Sequence, residues 1–387
     1  MNSAPARPAT LQRPWWQLRR AELLRLGSEH DCAYVYDGTQ VQSAAGQLRA
    51  LQSVGRVFYA MKANPNLELL RIIAASGIDI ECVSRGEIEH VLASVPNLAR
   101  GRVLYTPNFA PRAEYAWAFE QGVTVTIDNR YVLQQWPQVF KGREVLVRVD
   151  TGTGRGHHVH VHTAGEYAKF GVPIEELAEL APLAAAVGCR VIGLHAHTGS
   201  GVFEVSSWTE TAEMLLAAAG QFPQLRILNI GGGLGVPERP EQPALDLAQF
   251  DAALGAVRER AAGLEFWLEP GRFLVAAAGV LLVHVTQTKA KGSTRYVGVT
   301  TGMNSFIRPA LYGSWHEIVN LTRLDEPATE LVNVVGPICE SADVLGQDRW
   351  LPPSQEGDVL LITNAGAYGR AMSSNYNLRE PAIEVLL

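Results

Sequence analysis

Between residues 57 and 268 the chain repeats one pattern: a short apolar run, then a longer stretch rich in Ala, Leu and Glu. The runs cover residues 57–60, 78–82, 102–105, 124–127, 145–149, 191–195, 227–230 and 266–268. Near-continuous apolar runs suit parallel strands covered on both faces. Strands alternating with helical stretches build βαβ units. Such units can form a doubly wound open sheet or a closed barrel, and eight of them predict a (β/α)8 TIM-type barrel.

After Glu269-Pro270-Gly271-Arg272 the texture changes. Residues 280–288, 296–300, 331–335 and 358–363 read as strands with few helical patterns between them, which predicts a second, β-rich domain of Greek-key or β-sandwich type. The expected division is an N-terminal segment 1–37, a barrel 38–275 and a β-domain 276–387. The strand over residues 34–36 precedes the barrel and is expected to join the β-domain. Residues 15–26 are amphipathic and fit a tail, a linker or a docking helix.

A chain of 387 residues suits two domains. Its net charge of −6 argues against a nucleic-acid partner. The longest apolar runs are too short to span a bilayer, and the N-terminus has no signal-like apolar core. Cys32, Cys82, Cys189 and Cys339 form no CxxC or metal-finger spacing, so reduced thiols in a cytoplasmic protein are expected.

In a barrel of this type the working residues sit at the C-terminal ends of the strands. The conspicuous residues fall there repeatedly: Lys62 after the first run, Glu81 and Ser84 at the second, His195 and His197 at the sixth, Gly231-Gly232-Gly233 at the seventh, and Glu269 to Arg272 at the eighth. Lys62 at the mouth of an apolar strand is either a snorkelling lysine or a partly desolvated amine able to form an imine. The glycine run is either a plain turn or an anion cradle, and the loops after the last two barrel strands favour phosphate. Arg272 can add charge to the same anion. His195 and His197 share a strand face, but no further ligand run supports a metal, so none is expected. His157, His158, His160 and His162 lie in a Gly-rich loop and read as loop structure, with adventitious metal binding as the alternative. An amine, a phosphate cradle and a buried acid together suggest pyridoxal phosphate (PLP), which needs all three.

Six motifs carry a resemblance: Tyr59-Ala60-Met61-Lys62-Ala63-Asn64, His197-Thr198-Gly199-Ser200, Gly231-Gly232-Gly233, Glu269-Pro270-Gly271-Arg272, Cys339-Glu340-Ser341-Ala342-Asp343 and Gly366-Ala367-Tyr368. In this order they resemble the fold-type III PLP-dependent decarboxylases, and most of all the members that act on diaminopimelate. The likeness runs from about Tyr34 to the C-terminus. It implies that Lys62 binds the cofactor as an imine and that His197 stacks on its ring. It implies that Ser200, Gly231, Gly232, Gly233, Gly271 and Arg272 hold the phosphate region, and that Glu269 meets the pyridine nitrogen. Tyr368 would touch cofactor and substrate. Cys339, as general acid, and Glu340 would come from the neighbouring subunit of a homodimer. Arg308, at a family position for a distal carboxylate, would bind substrate together with Arg272, Tyr312 and Glu340. Without the motif, Arg308 reads as a surface arginine. Glu81 stands where the family commonly has Asp.

A site with both signs suits a substrate carrying a second amino-acid centre. The implied reaction is decarboxylation of meso-2,6-diaminopimelate to L-lysine and carbon dioxide. Decarboxylation of D-ornithine, D-lysine or carboxynorspermidine is the near alternative. A non-catalytic regulatory relative is opposed by the presence of Lys62, Glu269 and Cys339. A racemase is opposed by the Cys339-Glu340 motif and by the carboxylate at the ring nitrogen.

Overall fold

A computed structural model describes residues 13–152, 155–156, 168–197 and 199–387. The lead up to residue 12 and the histidines 157, 158, 160 and 162 lie outside the described residues. The chain divides into two compact units: 41–236 with 243–274, and 1–40 with 237–242 and 275–387.

The first strand, β1 (Cys32–Tyr36), belongs to the second unit. Eight strands build the first, apart from three two-residue strands between them: β2 (Arg56–Ala60), β3 (Asp79–Cys82), β4 (Val103–Tyr105), β5 (Thr124–Ile127), β6 (Glu144–Asp150), β7 (Arg190–His195), β8 (Ile227–Asn229) and β9 (Glu265–Leu268). Each pairs in parallel with the next, and β9 pairs back onto β2 through Trp267–Arg56 and Leu268–Val57. Among the described residues these eight strands therefore close a barrel, at bounds within two residues of the expected runs. The open sheet is excluded.

The barrel core contains Phe58, Leu104, Leu146, Ile192, Ile227 and Trp267. Phe58 and Trp267 meet at 4.9 Å, and the Arg56 guanidinium lies over both rings. Buried Asp79, at the start of β3, ties Arg56 (2.8 Å) to Arg102 (2.6 Å) at the N-terminal end of the strands.

The helices start where local chemistry allows. The Leu67–Ala75 helix buries Leu69, Leu70, Ile73 and Ala74, and the Asn66 side chain accepts from the Glu68 and Leu69 N–H groups as its cap. Ser84 caps the helix Arg85–Ser94 through the Glu87 N–H, while the Glu87 carboxylate accepts from the Val83 N–H. Ser84 thus starts a helix.

In the second unit, β10 (Gly279–Lys291) is the longest strand. It pairs antiparallel with β1, β11 (Thr294–Val299) and β15 (Val359–Ile362). The sheet continues through β12 (Ile318–Asn320), β13 (Glu330–Val335) and β14 (Val344–Leu351), and β16 (Ile383–Leu386) runs parallel to β1. The strands β12, β14 and β16 were not expected. One is only three residues long, one carries Gln-Asp-Arg in its middle, and one sits at the chain end. Residues 15–26 fall in two successive helices, Trp15–Leu18 and Arg20–Glu29, that dock on this sheet. Trp15, Trp16, Leu23 and Leu26 pack on Val35, Val280, Leu282, Val359 and Leu361, and Trp15 Nε1 donates to the Ala277 carbonyl at 2.9 Å.

Replacing Asp79 with Ala leaves two arginines without their shared carboxylate at the foot of the barrel. Because both guanidiniums are partly solvated, the expected cost is about 1–3 kcal/mol, read as a lower midpoint for the barrel transition in urea. A variant with an unchanged midpoint would show that this cluster does not stabilise the barrel.

Candidate active site

The C-terminal ends of the barrel strands collect the ionisable groups. β2 runs into a single 3₁₀ turn, Met61–Ala63, and that turn carries Lys62. The turn is pinned by the Tyr59 hydroxyl, which donates to the Asn64 carbonyl at 2.9 Å. Lys62 Nζ lies 3.1 Å from Glu81 Oε2 on β3. The Lys62 side chain is 43 % exposed and Glu81 is buried. The ion pair, more than the desolvation expected of a strand-end lysine, therefore governs Lys62. Burial pushes the Glu81 carboxyl up to about 7, against the pull of Lys62 and with help from Glu269 and Glu87. A carboxyl in that range beside an amine is an acceptor that can also return the proton near neutral pH.

The far wall of the site comes from β7, β8 and β9. Glu269, just past β9, is buried, and burial alone would raise its pKa. His195 Nε2 at 3.4 Å, the charge of Lys62 and the Asn229 amide at 2.6 Å outweigh burial and hold Glu269 well below the usual carboxylate range. Asn229 also accepts the Gly231 N–H at 3.0 Å, and the Glu269 N–H donates to the Gly231 carbonyl at 2.7 Å. One residue thus fixes both the acid and the glycine turn.

Gly231 and Gly233 adopt φ of +69° and +90°, and a Cβ at Gly232 would sit 2.0 Å from the Glu269 carbonyl. No side chain fits this turn. The Gly232 N–H donates to His197 Nδ1 at 3.1 Å. A backbone N–H can only donate, so Nδ1 is a lone-pair acceptor and the imidazole is neutral. Burial pushes His197 down to about 3, and the charges of Arg148 and Lys62 add to the effect. Arg272 Nη2 donates to Ser200 Oγ at 3.1 Å, which makes a cationic corner with a hydroxyl in it. Gly271 lets this turn approach β2, since its Cβ would lie 3.1 Å from the Ala60 carbonyl and from Ala63 Cβ.

Sequence reasoning missed Asn229, Arg148 and Trp208. Trp208 Nε1 donates to the Gly232 carbonyl at 2.8 Å. Arg148 is buried beneath the Phe170 ring at 4.3 Å. The position of Asn229, two residues before the glycine run at a strand end, was the available signal. Arg148 and Trp208 carried none beyond residue type.

In the second unit Arg308 is buried at the start of the short helix Arg308–Tyr312. Its Nη2 lies 3.6 Å from Glu238, and its guanidinium 5.9 Å from the Tyr312 ring. The surface-arginine alternative is thereby overturned. Cys339 and Glu340 are exposed on a loop shaped by Asp343. The Asp343 carboxylate accepts the Met303 N–H at 2.6 Å and the Ile338 N–H at 2.7 Å, and a Cβ at Gly302 or Gly336 would collide with it. Asn377 accepts the Cys339 N–H at 2.7 Å. Tyr368 holds φ at +56°, in a turn where Gly366 approaches the Val275 carbonyl.

Residues 39–276 match the family described as pyridoxal-dependent decarboxylase, pyridoxal binding domain, and the chain belongs to that family. Within it, the chain is 39% identical over 345 residues to a diaminopimelate decarboxylase of Methanothermobacter thermautotrophicus, covering 86% of this chain and 80% of that one. A diaminopimelate decarboxylase of Deinococcus radiodurans is 38% identical, covering 91% and 89%. The fold matches that of a Helicobacter pylori diaminopimelate decarboxylase solved with L-lysine, with a TM-score of 0.85, 28% identity and 94% of each chain covered.

The pH behaviour of His197 follows from its burial. Between its unfolded value of 6.5 and about 3, the unfolded chain binds a proton that the folded chain refuses, so stability is lost as pH falls through that window. Between pH 6.5 and 4.5 the raised Glu81 carboxyl works the other way, since the folded chain binds a proton there that the unfolded chain lacks, and it offsets the His197 loss; below 4.5, ionised Glu269 adds a loss of its own. His197→Asn, which keeps an acceptor for the Gly232 N–H, is expected to make the slope of Tm against pH over 6.5–4.5 less positive than in the wild type, the Glu81 contribution being common to both. An unchanged slope would remove His197 as its source.

Proposed function

We infer that this chain is a PLP-dependent carboxy-lyase that converts meso-2,6-diaminopimelate to L-lysine and carbon dioxide. The observation that carries the reading is the ionised, buried Glu269 in the same barrel end as the Lys62–Glu81 pair, in a chain whose similar relatives are diaminopimelate decarboxylases. The donor set fits the cofactor. Lys62 offers the amine, Glu269 an acceptor for a ring N–H, and Ser200, Arg272 and the glycine turn an anion corner.

When bound, PLP withdraws the electron pair left on Cα as carbon dioxide departs. The chain's own residues do the rest. Lys62 Nζ would hold the cofactor through its aldehyde carbon, and Glu81 would accept and return the Lys62 proton. Glu269 would keep a proton on the ring nitrogen. His197, neutral and clamped by Gly232, would pack against the ring. Gly231, Gly232, Gly233, Gly271, Ser200 and Arg272 hold the phosphate region, with Tyr368 against cofactor and substrate. Arg308, Arg272 and Tyr312 bind the substrate, Arg308 taking the distal carboxylate, and Glu340 faces the distal ammonium. The C–C bond to the carboxylate at the D-centre breaks, and Cys339 Sγ–H supplies the proton that replaces it on Cα. In this reading the barrel spans 38–275, the β-domain spans 276–387 with the strand from 1–37, and the enzyme is a cytoplasmic homodimer whose sites take Cys339 and Glu340 from the partner chain.

The PLP-loaded protein should release lysine and carbon dioxide in equal amounts from meso-diaminopimelate. Absence of lysine would sink the assignment. Arg308→Leu should still bind PLP but lose on the order of 2–4 kcal/mol in kcat/KM for diaminopimelate; wild-type kinetics would remove the distal-carboxylate role. Lys62→Ala and Cys339→Ala, each nearly inactive alone, should recover roughly a quarter of wild-type activity after dissociation, equal mixing and reassembly. With subunit exchange verified, no recovery would place Lys62 and Cys339 of one site in a single chain.

A further inference from the structure

The geometry points to a second ligand site in the β-rich unit, beside the helix that carries Arg308 but with none of the residues assigned above in its lining: a cavity built to take a small multivalent anion of phosphate or dicarboxylate type between Arg239 and Arg349. Both guanidiniums lie over the Trp315 ring, at 4.9 and 4.8 Å from its centroid. The two like charges are therefore less than about 10 Å apart, a distance at which they repel unless a counter-charge joins them. Among the described residues no carboxylate lies within ion-pair distance of either guanidinium, and the one hydrogen bond of the Arg349 guanidinium runs from Nη1 to the Gln347 carbonyl at 2.9 Å.

The site has the marks of construction. Arg349 Nε is buried without a hydrogen-bond partner. A donor in that state costs free energy unless a ligand or water satisfies it. Gly346 makes the room, since a Cβ there would sit 2.9 Å from Arg349 Nε. Asp348, just before Arg349, holds φ at +54°, and its N–H donates to Asn333 Oδ1 at 2.9 Å. A strained turn is thus fixed so as to present the arginine. Burial and the charge of Arg239 pull the Arg349 guanidinium down to about 10, the direction expected of a cation lacking its anion.

The cavity between them measures about 570 Å³ and is also walled by Gly313, Ser314 and Gln347, small or neutral groups suited to an oxyanion's remaining acceptors. Asp348 is its one carboxylate. An adjoining cavity of about 750 Å³ shares Arg239, Trp315 and Arg349 but carries Glu241, Glu317 and Glu326, so the smaller cavity is the one where positive charge prevails. Paired arginine forks match the oxygens of phosphate and carboxylate alike.

The test uses the PLP-loaded protein, in which the cofactor corner is already filled. Pyrophosphate and succinate are titrated separately by calorimetry at constant ionic strength set with sodium chloride, in wild type, Arg349→Gln and Arg239→Gln. At least one anion should bind the wild type with a stoichiometry of one per chain and raise its Tm. Each variant should weaken that binding about ten-fold or more while decarboxylation of diaminopimelate is unchanged. Which anion binds identifies the source. A purely structural role for the arginines predicts instead that both variants lower Tm in the absence of anion and that the anions act equally on all three proteins. That outcome, or no binding of either anion by the wild type, overturns the proposal.

Discussion

The barrel works because its last strand returns to its first. Pairing of Leu268 with Val57, continued by the Ala60 N–H to the Pro270 carbonyl at 3.2 Å, sets Glu269 and Arg272 beside the turn that carries Lys62. The approach is tight at Gly271, where a Cβ would lie 3.1 Å from the Ala60 carbonyl and press on Ala63. Residues from the two ends of the barrel sequence thereby share one rim. An open sheet with the same strands would have left the amine and the acid on opposite edges. Closure is a condition of the chemistry as well as of the core.

Around that rim the charges alternate, and each is read only against its neighbours. Glu81 and Glu269 are both buried carboxylates, yet burial wins at Glu81 and loses at Glu269. The difference lies in the partners. Glu81 has one ammonium, half in water, and Glu269 has an imidazole and an amide, both dry. One acid can therefore exchange protons near neutrality while the other stays an anion. Two carboxylates with opposed shifts in a single site are the expected signature of divided acid–base duties.

Much of this was legible because it was local. Eight apolar runs separated by helical stretches specify strands whichever way they pack, and Lys62, the glycine turn and Glu269 stand at their ends. What escaped the sequence was set by tertiary context. Asn229 acquires its role only because β8 lies beside β9. Arg148 becomes a buried cation only once the barrel closes round it. Arg308 reads as a loop arginine until Glu238 and Tyr312 are seen against it. The strand Val344–Leu351 hides because its polar middle breaks the period-two pattern where the ladder shifts register.

The loops of the β-rich unit show how an exposed side chain is held without being buried. Cys339 and Glu340 reach water, yet the backbone beneath them is tied by Asp343 to Met303 and Ile338, and by Asn377 to Cys339 itself. Asp343 is buried against two glycines that leave it no other place. The left-handed Tyr368 is held in the same manner, by a turn in which Gly366 meets the Val275 carbonyl and Gly369 meets the Ala365 carbonyl. Such positions cost free energy locally, of order 1–3 kcal/mol for a non-glycine residue at positive φ. A chain keeps them where the direction of one side chain matters more than the stability of one turn. The short polar residues around Cys339 and the glycines around Tyr368 serve that end: they set the direction of a side chain, while the strands that flank them set the fold.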